Sequence, residues 1–134
     1  MHKTKIVTTF LKNSEQILIL KRSEKVKSMK NLWAGISGII EGDELPLKRA
    51  KIEIHEEVGI KESDIKLIKE GEKVFIESPQ YVNHQWEVYP FLFLTYIKDI
   101  KLNWENSDSR WIELEELDNF NTVPSLEKVL TRLF

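Results

Sequence analysis

The chain has 134 residues, 41% of them hydrophobic, no cysteine and a formal net charge of −2 at pH 7. That length supports one core and an expected single domain over residues 1–134, with no room for a second catalytic module. The near balance of 20 basic and 22 acidic residues, interspersed with no basic stripe, argues against a partner that tracks along a nucleic-acid polymer, and the missing cysteines remove disulfide and thiolate chemistry.

In chain order, the β-rich runs Lys5 to Leu11 and Gln16 to Lys21, separated by Lys12-Asn13-Ser14-Glu15, predict a hairpin. A basic loop from Ser23 to Leu32 leads to Trp33, and small residues with two glycines follow from Ala34 to Ile40. A helix is expected from Pro46 to Val58: proline suits its first turn, Asp43 and Glu44 complement the positive end of its dipole, and Gly59 stands where a left-handed residue commonly ends a helix. Leu45 is a poor N-cap. Strands are expected near Ile65 to Lys69 and Lys73 to Glu77, with a break at Ser78-Pro79-Gln80. A long aromatic-rich strand from Gln85 to Ile97 has the character of a central strand, with Pro90 marking a bulge or an edge. Arg110 to Ile112 predicts a further strand, Glu113 to Leu117 an acidic turn or helix, and Pro124 opens a terminal helix that buries Leu126, Val129, Leu130 and Leu133. This alternation, without repeat or linker, gives an α/β sandwich around a mixed sheet.

On the expected helix, Glu53, Glu56 and Glu57 are three and four residues apart and project from one side, while Leu47, Ala50, Ile54 and Val58 form the apolar stripe opposite. Like charges at that spacing repel by a few tenths of a kcal/mol, roughly, and a bound cation turns the repulsion into a gain. Carboxylate oxygens select hard ions, and Mg²⁺ takes one or two carboxylates together with substrate phosphates. A divalent-metal site and a phosphate-bearing substrate follow.

Gly38-Ile-Ile-Glu41-Gly42-Asp43-Glu44, followed by Glu53-Ile54-His55-Glu56-Glu57-Val58-Gly59-Ile60, resembles the Nudix box, G-x5-E-x7-R-E-U-x-E-E-x-G-U with U aliphatic. Ile52 replaces the box arginine. The resemblance implies an α/β/α sandwich around a mixed sheet, with the box helix and a C-terminal helix. It also implies a hydrolase acting on a nucleoside diphosphate linked to another moiety, with Mg²⁺ or Mn²⁺ as cofactor. Glu53, Glu56 and Glu57 match its metal-ligand positions, Gly38 the glycine whose carbonyl completes the coordination, Glu44 a supporting acid, and Glu53 the general base of some members. The family arginine steadies a catalytic glutamate, and Arg49, one turn before Glu53, is positioned by helical spacing to replace it.

A fourth acid comes from a distant loop in this family. Glu105 is the first choice, with Asp108 as the alternative. Arg22 and Lys25 are candidates for substrate phosphates, with Arg22 preferred, and Trp33 and Trp86, beside a loop from Tyr81 to His84, are candidates for stacking on a base. His55, at a variable box position, faces away from the acids, and with His84 it forms no zinc cluster. The expected partner is a small nucleotide. Trp33 followed by Gly35-Ile36-Ser37-Gly38 resembles members acting on nucleoside or pterin triphosphates, so nucleoside triphosphates lead, ahead of ADP-ribose and dinucleoside polyphosphates. A catalytically weak nucleotide-binding module is the competing class. The start lacks the apolar run of a signal peptide and no later run spans a bilayer, which makes a cytoplasmic location the expectation.

Overall fold

The computed structural model describes residues 2–77 and 82–134. Its strands are β1 (His2–Asn13), β2 (Gln16–Arg22), β3 (Trp33–Ala34), β4 (Ile36–Ile39), β5 (Ile65–Glu70), β6 (Val74–Glu77), β7 (His84–Thr95) and β8 (Asn106–Ile112), and its α-helices are α1 (Pro46–Val58) and α2 (Leu126–Thr131). Short 3-10 turns occupy Glu62–Asp64 and Leu114–Asn119.

The strands form one mixed sheet ordered β3-β2-β1-β7-β5, with β4 on β1, β6 on β7 and β8 on β2. At its centre β1 and β7 run parallel from His2↔His84 to Lys12↔Leu94. Both strands are covered on two faces, and the two-residue alternation of their side chains sorts them into two cores. Val7, Leu11, Phe91 and Phe93 join Leu18, Leu20 and the α1 residues Ala50, Ile54 and Val58. Phe10, Val88 and Leu92 join Ile17, Ile19 and the α2 residues Leu126, Val129 and Leu130. The result is the expected layering of helix, mixed sheet and helix.

Helix α1 keeps the bounds read from the sequence, with Pro46 in its first turn, an uncapped Leu45 before it and Gly59 after it at φ 75°, where its N–H donates to the His55 carbonyl. Glu44 is not in the first turn, and its carboxylate is engaged elsewhere, as described below. The terminal helix differs from expectation. It begins at Leu126, after Ser125 in a left-handed conformation, so Pro124 precedes the helix and does not open it. Pro90 marks neither a bulge in β7 nor an edge. It lies inside the central strand, beside the seam where β5 has ended at Phe91 and β6 begins at Val88, so its missing N–H faces no ladder partner, and its carbonyl accepts the Gly71 N–H at 3.0 Å. The expected break at Ser78-Pro79-Gln80, and Tyr81 of the expected loop, lie outside the described residues.

Candidate active site

Residues Ile6 and Thr8 of β1, Ser37 and Ile39 of β4, and Trp86 and Val88 of β7 line one sheet face, the floor of a cleft of about 740 Å³. Arg22, Arg49, Glu41, Glu53, Glu56 and Glu105 supply its charged wall, while Ile76 and residues of the segment Val123–Val129 supply an apolar one.

Gly38 points the other way, towards α1, and explains why the acids reach the cleft at that point. A Cβ there would overlap Cγ and Cδ of Glu53, so the absent side chain is the space that the Glu53 carboxylate occupies. Glu53 is buried, and Arg49, one helical turn earlier, donates from Nη1 to its Oε2 at 2.9 Å. The same guanidinium grips Glu44 through Nε to Oε1 at 2.6 Å and Nη2 to Oε2 at 3.0 Å, and Glu44 Oε1 also accepts the Glu41 N–H. Arg49 therefore ties the loop before α1 to the first box acid, in a bidentate geometry that lysine could not make. The guanidinium and the Glu41 N–H hold the Glu44 carboxyl below its usual range.

Glu57 is deeper still, only 4% exposed. Its Oε1 accepts from Asn106 Nδ2 at 3.1 Å, and its Oε2 is buried with no donor from a neutral or basic group, close enough to the Glu53 carboxyl that this contact also pushes the Glu57 carboxyl up. Burial is the largest cause pushing both carboxyls up: in Glu53 it outweighs the Arg49 hydrogen bond, and Glu56 and Glu105 add repulsion. In Glu57 burial and the Glu105 charge together push the carboxyl well above its ordinary value, against the Asn106 bond. Glu105, half-buried at the cleft wall, has Oε1 held by Asn103 Nδ2 at 3.2 Å.

Other candidates fall elsewhere. Trp33 is a correction: its ring packs edge-on against Phe120 at 5.2 Å inside the α2-side core and does not line the cleft, because β3 pairs with β2 at the sheet edge and turns the indole inward. Trp86 does line the cleft, with its ring 4.4 Å from His84. Arg22 lines it with Nε bonded to the Ser28 carbonyl at 3.1 Å, whereas Lys25 is exposed outside it. Asp108 is exposed on β8 opposite Lys21, away from the cleft, so of the two loop acids only Glu105 faces the box. His55 is exposed. Sequence reasoning missed Asn106 and Asn103, amides inside the polar run around Glu105, and Met29, a cleft-lining residue at φ 54°.

A sequence profile of the NUDIX domain matches residues 2–133. The chain belongs to the Nudix family. Its fold is similar to that of a MutT NUDIX hydrolase from Burkholderia pseudomallei (TM-score 0.79, 16% identity, 100% of each chain). It is similar also to a MutT protein from Methanosarcina mazei Go1 (TM-score 0.76, 22% identity, 98% of this chain and 92% of that one). A third similar structure is an Ap4A hydrolase from C. elegans in a binary complex (TM-score 0.75, 19% identity, 99% and 95%). Comparison with curated proteins yields no match. As a Nudix hydrolase the chain is a pyrophosphohydrolase, of a family that acts on nucleoside diphosphates linked to another moiety. Among the described residues no helix is long and apolar enough to cross a membrane.

Nudix hydrolases generally use divalent metal ions. Among the described residues no three His, Cys, Asp or Glu side chains are already drawn close enough to grip an ion. The donor chemistry nevertheless fits one: a buried, unpartnered Glu57 oxygen lies beside Glu53, and exposed Glu56 and half-buried Glu105 line the adjoining cleft. An all-oxygen set of this kind suits a hard cation.

Proposed function

We propose that this Nudix hydrolase is a Mg²⁺-dependent nucleoside triphosphate pyrophosphohydrolase. The observation that carries the reading is the unpartnered oxygen of Glu57, buried beside a second carboxylate at a cleft that also holds two arginines. Leaving a buried acceptor bare costs about 1–3 kcal/mol, a cost that a bound cation removes.

Glu53, Glu56 and Glu57 would hold the ion, with the neighbouring Glu105 and the Gly38 carbonyl as further donors. When bound, a divalent cation neutralises phosphate oxygens and lowers the pKa of a water. Arg22, with Nε committed to the Ser28 carbonyl, presents its remaining N–H groups to the phosphate chain. Glu53, its orientation fixed by the Arg49 guanidinium, accepts the proton of the attacking water. The apolar surface that Trp86 and Val88 of the floor share with Ile76 of the wall receives the base. Dinucleoside polyphosphates are the second substrate class, favoured by the likeness to the Ap4A hydrolase.

The test is a panel of nucleoside triphosphates, dinucleoside polyphosphates and ADP-ribose, with Mg²⁺ or with a chelator, and products identified. A monophosphate and pyrophosphate released from triphosphates only with Mg²⁺ is the expected result. No release from any member, together with no Mg²⁺ effect on thermal unfolding, would reject the reading.

A further inference from the structure

The acids at the cleft come from two distant parts of the chain, α1 and the turn before β8, and a small set of uncharged side chains joins them. We infer that Asn106 is the positioning residue of Glu57, and that Asn103 and Ser23 do the same for Glu105. The inference rests on the cation-binding reading above.

Asn106 is 8% exposed and is the first residue of β8, its backbone fixed opposite Arg22 of β2. From that rigid place its amide Nδ2 donates to Glu57 Oε1 and leaves Oε2 as the carboxylate's open oxygen. The amide supplies a donor without charge: an aspartate at that point would add repulsion to acids already in mutual conflict, and a leucine would strand a second buried oxygen.

The neighbouring turn is tied just as firmly. Asn103 accepts the Glu105 N–H on Oδ1 at 3.0 Å and donates from Nδ2 to the Glu105 carboxylate. Ser23, at the end of β2 and 8% exposed, donates from Oγ to the Trp104 carbonyl at 2.7 Å, and its own N–H donates to the Glu105 carbonyl at 2.8 Å. Glu105 thus leaves a backbone held from both sides, and its side chain is held by a third contact. None of the three positioning residues belongs to the acid set itself, so each acts through the acid it orients.

The test uses Mn²⁺ alone, without nucleotide, and reads its affinity for the full chain from the free-ion signal in electron paramagnetic resonance. Asn106→Leu, close in volume, is expected to weaken Mn²⁺ binding by about 10 to 100-fold, the usual effect of losing such an orienting partner. Ser23→Ala, farther from the ion, should give a smaller loss. Combining Asn106→Leu with Glu57→Gln should lose no more than Glu57→Gln alone, because the amide then has no carboxylate to aim. Tight wild-type binding left unchanged by both Asn106→Leu and Ser23→Ala, or additive losses in the double variant, would overturn this inference alone. Should Asn106→Leu fail to fold, Asn106→Ala takes its place for Glu57 while Ser23→Ala tests Glu105, with unaltered affinity in both as the negative result. Wild-type protein that takes up no Mn²⁺ would overturn the cation reading together with this one.

Discussion

The carboxyl of Glu57 is buried, with only 4% of the residue exposed. Its ordinary pKa is near 4.5, and burial raises the folded value well above that, so between the two values the native state binds more protons than the unfolded chain. Stability of the metal-free protein is therefore highest below the unfolded value and falls as pH rises through the folded one. Thermal unfolding in a chelator should move to lower temperature as pH rises above about 4.5, the direction set by a carboxyl whose pKa is raised on folding. Glu57→Gln should flatten that slope, leaving the share of Glu53, whose carboxyl burial also raises, and should stabilise the metal-free protein by about 1–3 kcal/mol while weakening its stabilisation by Mg²⁺. An unchanged pH slope in the glutamine variant would refute the assignment to Glu57. Gly38 carries a complementary prediction. Gly38→Ala forces the Glu53 carboxylate out of its place. Mn²⁺ affinity and turnover should fall together while the fold, read by circular dichroism, persists.

Helix α1 shows what a sequence states openly and what it conceals. Its bounds, caps and apolar stripe were legible because proline, glycine and a 3.6-residue pattern all agree. The Arg49–Glu53 contact was legible from four-residue spacing alone, since neighbours on a helix face need no tertiary knowledge. Trp33 was misread because an aromatic ring before the box is equally suited to a base and to a core, and only the docking of Phe120 decides. Asn106 was invisible because nothing local distinguishes an amide that meets an acid 49 positions away from one that meets water. The guanidinium that the motif would place at residue 52 comes to Glu53 from Arg49, and its function is open to trial. Arg49→Ala should reduce kcat about 10 to 100-fold. Adding Ile52→Arg should restore part of that loss, and an Arg49→Ala enzyme as fast as wild type would remove any role for the clamp. Trp33→Ala should cost about 3–5 kcal/mol in denaturant unfolding and leave KM unchanged, as expected of a core ring without substrate contact.

At the scale of the molecule, the sheet is a divider with a different task on each side. Its α1 face carries most of the acids, its other face carries the cleft floor, and Gly38 is the gap through which one reaches the other. The two-residue alternation in β1, β2 and β7 was readable as buried strands, but which residues belonged to which core was not, because that depends on the pairing of β1 with a strand some eighty positions later. That pairing also governs how the protein is born. The first strand has almost no ladder with its neighbour in sequence, touching β2 only near the turn, and must wait for residues 84–95 before most of its hydrogen bonds exist. Such long-range closure belongs to the slow end of single-domain kinetics, milliseconds to seconds. A nascent chain halted before residue 84 should remain protease-sensitive throughout, and release of the completed polypeptide should confer resistance along its entire length at once.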